Sequence, residues 1–351
     1  MDDDRFAAGV LLQKASTARV PVRVVYITDG DDNPWPQRVL EKRWRLRATD
    51  RARWGKRRRR EAVAALELLG LRAADARFLG LPDQGLTRAL LHDCENTSAR
   101  IRRMIADWKP THLLFPSQLD THPDHSAAAL LVRFAFERVP FPKGECALLR
   151  YLVHGKCAVS SARAVTLRQS ERETAVKRHA IAQHRTQVKF SRRRFMSYAG
   201  RPECFLTSSV EGGITLSGAI RGALRTRDEL RLIFRFRMKP IGSERPTLYV
   251  LGRDRAGAPL TVCTRLPTRA AQVQVTACAT GRRLAIASYR GSSFQGLLTF
   301  PVRLFGDDDP VFAKISRHRW FFDEAGWTEI APLFASRGPV NVGAVEQLVS
   351  A

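Results

Sequence analysis

The spacing of apolar residues changes its period once along this chain, and that change limits the folds open to it. Up to about Phe205 short apolar runs alternate with helical stretches, and beyond it apolar and polar residues alternate along strand-length segments. The pattern predicts an α/β, Rossmann-like layered domain with a mostly parallel sheet over 1–207, then a smaller all-β, sandwich-like domain over 208–351. A chain of 351 residues is long enough for both. In the first part the candidate strands are Val22–Thr28, Ala76–Leu79, His112–Pro116 and Ala147–Val153, and the candidate helices are Phe6–Lys14, Gln37–Leu69, Thr87–Trp108, Asp124–Phe136 and Ser170–His184. In the second part Leu230, Leu232, Phe234, Phe236 and Met238 share one face of a strand, and Gly212-Gly213 marks the linker before it.

Hydrophobic residues at 44% and charged residues at 26% are ordinary for a globular protein, and no apolar run approaches the roughly 20 residues of a membrane span. No leader-like segment precedes the first motif, so a cytoplasmic protein is expected. The cysteines Cys94, Cys146, Cys157, Cys204, Cys263 and Cys278 lack paired spacing, which argues against a disulfide framework and against a cysteine zinc site. The charge is less ordinary, with 59 Lys and Arg against 34 Asp and Glu, a net of +25. Basic residues concentrate between Lys42 and Arg60 and at Arg192-Arg193-Arg194. Nucleic acid is therefore a partner to weigh, but Arg also lines the polar face of the β part, so a solvated basic face is favoured. Trp35, Trp44 and Trp54 could stack bases, although their helical spacing reads as packing.

The chemistry concentrates in Asp120-Thr121-His122-Pro123-Asp124-His125, between the strand His112–Pro116 and a helix whose first turn suits Pro123 and Asp124. Two imidazoles and two carboxylates on a strand-to-helix corner form a set with metal-ligand chemistry, at the place where open α/β sheets usually carry their sites. An ordinary polar loop with Asp capping the helix is the alternative. At the other end of the chain, Asp2-Asp3-Asp4 stands ahead of a small-residue helix start, and Val22–Thr28 runs into Thr28-Asp29-Gly30.

Together these motifs resemble the LmbE-like (PIG-L) family of zinc-dependent N-deacetylases, which pairs an N-terminal His-x-Asp-Asp with a later His-Pro-Asp-His. The resemblance continues in order through the Arg57–Arg60 helix ending in Leu69-Gly70, Phe78–Asp83, Lys177–Gln187 and Glu203-Cys204-Phe205, and it covers about residues 1–207. It implies a hydrolase that removes an N-acyl group, expected to be acetyl, from an amino sugar or sugar conjugate such as one of N-acetylglucosamine.

Hydrolysing an unactivated amide at neutral pH needs a strong nucleophile and a stabilised oxyanion, and Zn2+ with an open coordination position supplies both. The resemblance assigns Asp2 as general base, Asp3 and His125 as metal ligands, and His122 as the electrophilic or acid group, oriented by Asp124. It also implies that Arg58 and Asp83 contact the sugar. For Arg58 the plain alternative is a surface charge, and for Asp83 a turn residue. His184 could face the pocket, but a structural histidine near a helix end is favoured.

The family's third ligand, a histidine two positions before the first catalytic Asp, would fall one residue ahead of Met1, together with a first strand. The expectation is that the true start lies upstream. An Asp3-Asp4 register is less favoured because it puts Asp2 in an apolar slot. Two further readings compete with the enzyme: a catalytically impaired scaffold that binds nucleic acid or anionic ligands through its basic surface, and a β part that docks glycans or a partner. The chain as it stands is expected to bind zinc poorly, because two protein ligands fall short of the three usual for catalytic zinc. Comparing the metal content of long and short forms checks this, and full loading of the short form would show that another residue completes the site.

Overall fold

The computed structural model describes residues 3–142, 146–154, 164–207, 218–236, 245–317 and 322–332, with the side chains of 3–6 left aside. The elements, in chain order, are α1 (Asp3–Thr17), β1 (Val24–Thr28), α2 (Pro34–Glu41), α3 (Ala48–Leu68), β2 (Ala76–Leu81), α4 (Leu86–His92), α5 (Cys94–Trp108), β3 (His112–Pro116), α6 (Pro123–Phe136) and β4 (Ala147–Tyr151). They continue as β5 (Ala164–Leu167), α7 (Glu171–Ala182), α8 (Arg185–Ser197), β6 (Glu203–Thr207), β7 (Ile220–Arg225), β8 (Glu229–Arg235), β9 (Thr247–Arg253) and β10 (Pro259–Arg265). The last are β11 (Ala271–Ala277), β12 (Arg283–Gly291), β13 (Gln295–Pro301), β14 (Val311–Ser316) and β15 (Thr328–Ile330). They group into two compact units, one of Met1–Leu86 with Leu148–Thr207 and one of Thr87–Ala147 with Ser208–Ala351. Among the described residues no helix is long and apolar enough to cross a membrane.

In the first unit β1 and β2 pair in parallel, with Tyr26 opposite Phe78 and the two rings stacked at 4.9 Å. β6 pairs antiparallel with both β4 and β5, so the parallel pairing described in this unit is confined to β1 and β2. The core gathers Leu12 of α1, Val24 and Tyr26 of β1, Ala62, Ala65 and Leu66 of α3, and Ala180 of α7. The single helix expected over Gln37–Leu69 is two. Lys42 adopts a left-handed conformation at φ 52° and ends α2, with its N–H donating to the Arg38 carbonyl. The carboxylate of buried Asp50 accepts the Arg47 N–H at 3.0 Å and starts α3 again. The helix expected over Thr87–Trp108 is likewise split, at Asp93, whose φ and ψ of −144° and 40° are not helical.

The helix carrying the N-terminal acidic motif is held by a charge taken out of water. α1 is kinked at Ala8, with φ −138° and ψ 16°, so the N–H groups just past the kink stand where the first turn of a new helix would. The carboxylate of Glu203 on β6 accepts two of them, from Val10 at 2.7 Å and from Leu11 at 2.9 Å. Lys177 of α7 lies 2.7 Å from the same carboxylate, and both side chains are buried. A β-carbon on Gly9 would come within 3.1 Å of the Lys177 side chain, so the bare backbone is what lets the lysine pass.

The second unit carries a nine-stranded antiparallel sheet in the order β15-β14-β9-β10-β11-β12-β13-β8-β7. Its edge strands β7 and β15 come into contact, which curls the sheet nearly into a barrel where two stacked sheets were expected. Leu230, Leu232, Phe234 and Phe236 lie buried in its core, with Arg231 and Arg235 exposed on the other face, as the period-two pattern implies. Met238 and the Gly212-Gly213 linker lie outside the described residues.

Replacing Lys177 with Met should leave the Glu203 charge buried without its cation, at a cost of about 3–5 kcal/mol in unfolding free energy. Denaturant unfolding of the variant checks this, and a stability equal to that of the parent would show that the pair does not anchor α1.

Candidate functional site

The strand-to-helix corner predicted from the sequence is present in the second unit, where β3 ends at Pro116 and α6 begins at Pro123. His122 is the N-cap of α6, and its Nδ1 accepts the Asp124 backbone N–H at 3.2 Å. A ring nitrogen that accepts carries no proton, so the proton of a neutral His122 sits on Nε2. His125, one turn into the helix, is turned the other way. Its Nδ1 lies 3.1 Å from the Asp120 carboxylate, within ion-pair range, and that negative charge favours a proton on Nδ1. The two rings stack at 4.2 Å between centroids, 19° apart in plane. The corner therefore sets one imidazole against a backbone N–H and the other against a buried carboxylate.

Asp120 makes this arrangement, and the sequence pattern gave it no role. It is fully buried, and its carboxylate also accepts the His122 backbone N–H at 2.8 Å. One side chain thus ties the loop to both histidines. An Asp two residues before the first histidine of the motif was the available signal, but its partner depends on how the loop folds back.

A further set of supports comes from β14, β15 and the segment between them. The Asp323 N–H donates to the Thr121 carbonyl at 2.9 Å and the Trp327 N–H to the Gln118 carbonyl at 2.7 Å. A β-carbon on Gly326 would fall 2.0 Å from that same Gln118 carbonyl, so the approach is possible for glycine alone. Glu329 accepts from Gln118 at 2.9 Å and from Arg133 of α6 at 2.7 Å, and Phe322 sets its ring edge-on to His122 at 5.6 Å. Lys314 of β14 ion-pairs with Asp323 and reaches Ser126 Oγ at 3.4 Å. Burial pushes the Lys314 pKa below the usual amine range, against the opposing charges of Asp323 and Asp124. The bond described from Asp124 to His122 runs through the Asp124 backbone, while its carboxylate belongs to the electrostatic surroundings of Lys314.

In the first unit, Arg58 is buried on α3 and donates to the carbonyl of Gly30, which turns at φ 65°. Its neighbour Arg59 forms a two-pronged pair with Asp29. Asp83 follows β2, where its carboxylate accepts from Thr28 at 3.3 Å and its N–H approaches Asp31 at 3.4 Å. Burial, reinforced by the Asp83 and Asp29 charges, raises the pKa of Asp31 above its ordinary value despite hydrogen bonds from backbone amides that oppose the rise. Arg58 and Asp83 thus share the surroundings of the Asp29–Asp31 turn, which the sequence marked as a turn without assigning it a role. His184 is buried at the junction where α7 ends and α8 begins, as its N-cap.

Asp2 lies outside the described residues, and of Asp3 the backbone alone is described, at the start of α1. Among the described residues no group of three or more His, Cys, Asp or Glu stands close enough to hold a metal. His125, with one ring nitrogen 3.1 Å from the buried Asp120 carboxylate, pairs an imidazole with a nearby acid, a combination that a histidine ligand and its supporting carboxylate would need.

Residues 1–136 match the family PIG-L, GlcNAc-PI de-N-acetylase, and this stretch is a PIG-L domain. The match supports a deacetylase. Among solved structures, the chain is similar to a conserved protein from Thermus thermophilus at 19% identity, covering 62% of this chain and 95% of that one with a TM-score of 0.43. It is also similar to a deacetylase triple mutant from the teicoplanin biosynthetic pathway at 16% identity, covering 59% and 95% with a TM-score of 0.45. No curated protein matches the chain.

Replacing Asp120 with Asn keeps the side-chain shape but removes the charge that holds His125. With His125 as a metal ligand, as the resemblance implies, the full-length variant is expected to stay folded and to lose about 10- to 100-fold in zinc affinity, read from metal content after dialysis. Unchanged metal content would mean that His125 needs no such support.

Proposed function

We propose that this chain is a zinc-dependent N-deacetylase that hydrolyses the N-acetyl group of an amino sugar or sugar conjugate to acetate and the free amine. The observation that carries the reading is the opposed setting of two stacked histidines on one corner, His122 accepting a backbone N–H at Nδ1 and His125 with its Nδ1 3.1 Å from the Asp120 carboxylate. Two different settings suit the two roles that an amide hydrolase of this family asks of its His-Pro-Asp-His motif.

In this reading His125 and Asp3 would hold the metal, whose chemistry would be Lewis-acid polarisation of the amide carbonyl and a lowered pKa for the attacking water. Asp2 takes the proton that water gives up, and it returns to the departing amine. His122 donates a hydrogen bond from Nε2 as negative charge grows on the former carbonyl oxygen, and its N-cap bond to Asp124 keeps the proton on that side. Arg58 and Asp83 are assigned to the sugar, Arg58 by holding the Gly30 turn and Asp83 by offering acceptors to hydroxyls. In the same reading the deacetylase sequence is assigned to residues 1–207 and the β-rich part to 208–351, while β14 and β15 brace the histidine corner within the second compact unit. A cytoplasmic location belongs to the same proposal.

The two histidines should separate in mutagenesis. In the full-length protein His125→Ala is expected to lose zinc, whereas His122→Ala keeps zinc and loses about 10²- to 10³-fold in turnover of an N-acetylglucosamine conjugate. Metal analysis and an acetate-release assay on both variants test this, and equal metal loss in the two would overturn the assignment of roles.

A further inference from the structure

The surface around α2 is built from residues that the proposed chemistry does not use. Trp35 is 62% exposed, Val39 59% and Trp44 78%. Trp35 and Val39 are four residues apart and so lie on one face of α2. That face cannot roll inward, because the opposite side is fixed by Gln37. Gln37 is fully buried, and its amide nitrogen donates to the Asp50 carbonyl at 2.8 Å and to Glu41 at 3.2 Å. The left-handed turn at Lys42 then ends the helix, and Trp44 stands exposed beyond it. The spacing that predicted packing for the tryptophans holds for Trp54, which is buried in α3, and not for these two.

Exposed cations flank these side chains along the chain, in excess of the acids paired with them. Arg43 and Arg53 pair with Asp50, and Arg51 pairs with Asp32. Lys42, Arg45, Arg47, Lys56 and Arg60 are exposed, with no acidic partner in ion-pair range among the described residues. α2 packs against α8, which adds Phe190, 42% exposed, beside the exposed Lys189 and Arg192-Arg193-Arg194. Exposed indoles and aliphatic groups ringed by Lys and Arg suit a bilayer interface, where the rings enter the headgroup layer and the cations meet phosphates.

A single-stranded nucleic acid would need open aromatic faces for its bases. Here the Arg38 guanidinium already lies over the Trp35 ring at 5.3 Å, and Val39 offers no ring at all. A second copy of a chain with a net charge of +25 would repel this surface.

We propose that α2, the turn after it and α8 form a docking surface for an anionic phospholipid membrane, independently of the deacetylase reading. The test is co-sedimentation of the full chain with vesicles of phosphatidylcholine alone and of phosphatidylcholine with phosphatidylglycerol. Binding is expected with the anionic vesicles, weakening as salt rises. Trp35→Ala with Trp44→Ala should release most of the protein from them. Arg45→Gln with Arg47→Gln should weaken partitioning by roughly fivefold per charge removed. All four positions are exposed, so an unchanged thermal midpoint confirms that these variants are folded. No binding to anionic vesicles, equal binding to neutral ones, or binding untouched by the tryptophan substitutions would overturn the proposal. So would loss of single-stranded oligonucleotide binding in the tryptophan variants with vesicle binding intact, an outcome that assigns the surface to nucleic acid.

Discussion

A carboxylate removed from water must be given partners of its own, and Glu203 acquires three. Its two oxygens take the N–H groups of Val10 and Leu11 and the ammonium of Lys177. The carboxylate therefore does for α1 what a capping side chain does at an ordinary helix start, but from a strand at the far end of the unit. Because α1 begins at Asp3, the placement of the N-terminal acidic motif depends on this charge being both buried and neutralised. Had Lys177 been apolar, the same carboxylate would have been a liability, since an unpaired buried charge costs more than its two amide bonds return.

The histidine corner depends on the same physics in a different place. Asp120 is buried and divides its oxygens between a backbone N–H and a ring nitrogen, while Glu329 and Lys314 bring a second layer of paired charge against the loop and the first turns of α6. Ring orientation is set by this layering. His122 and His125 are chemically alike and three residues apart, yet one accepts a backbone N–H at Nδ1 and the other faces a carboxylate there, which gives the two rings different surroundings. The β-rich sheet is a working part of that corner, because the bonds from Asp323, Trp327 and Glu329 all end on residues 117–122 or on α6.

The basic surface around α2 shows how a charge run acquires meaning from what surrounds it. In the sequence, Lys42 to Arg60 reads as a solvated helix face, and for the arginines paired with Asp50 and Asp32 it is one. What changes the reading is the exposure of Trp35, Val39 and Trp44 among them, since large apolar side chains left in water are the feature that marks an interaction surface.

Local patterns were legible in the sequence. Period-two alternation placed Leu230, Leu232, Phe234 and Phe236 on one buried face, and the six-residue stretch from Asp120 to His125 located the corner, because both depend on neighbours within a turn or a strand. The splits at Lys42 and Asp93 were missed because each rests on single-residue backbone conformations that helical spacing does not encode. Sandwich against curled single sheet was decided by which edge strands meet, a property of twist accumulated over nine strands. The supporting contacts were out of reach for a simpler reason. Val10 meets Glu203 across 193 residues, and Gln118 meets Glu329 across 211. A residue's type announces that it will need a partner once buried, but which partner it finds is settled only when chain closure brings distant segments together.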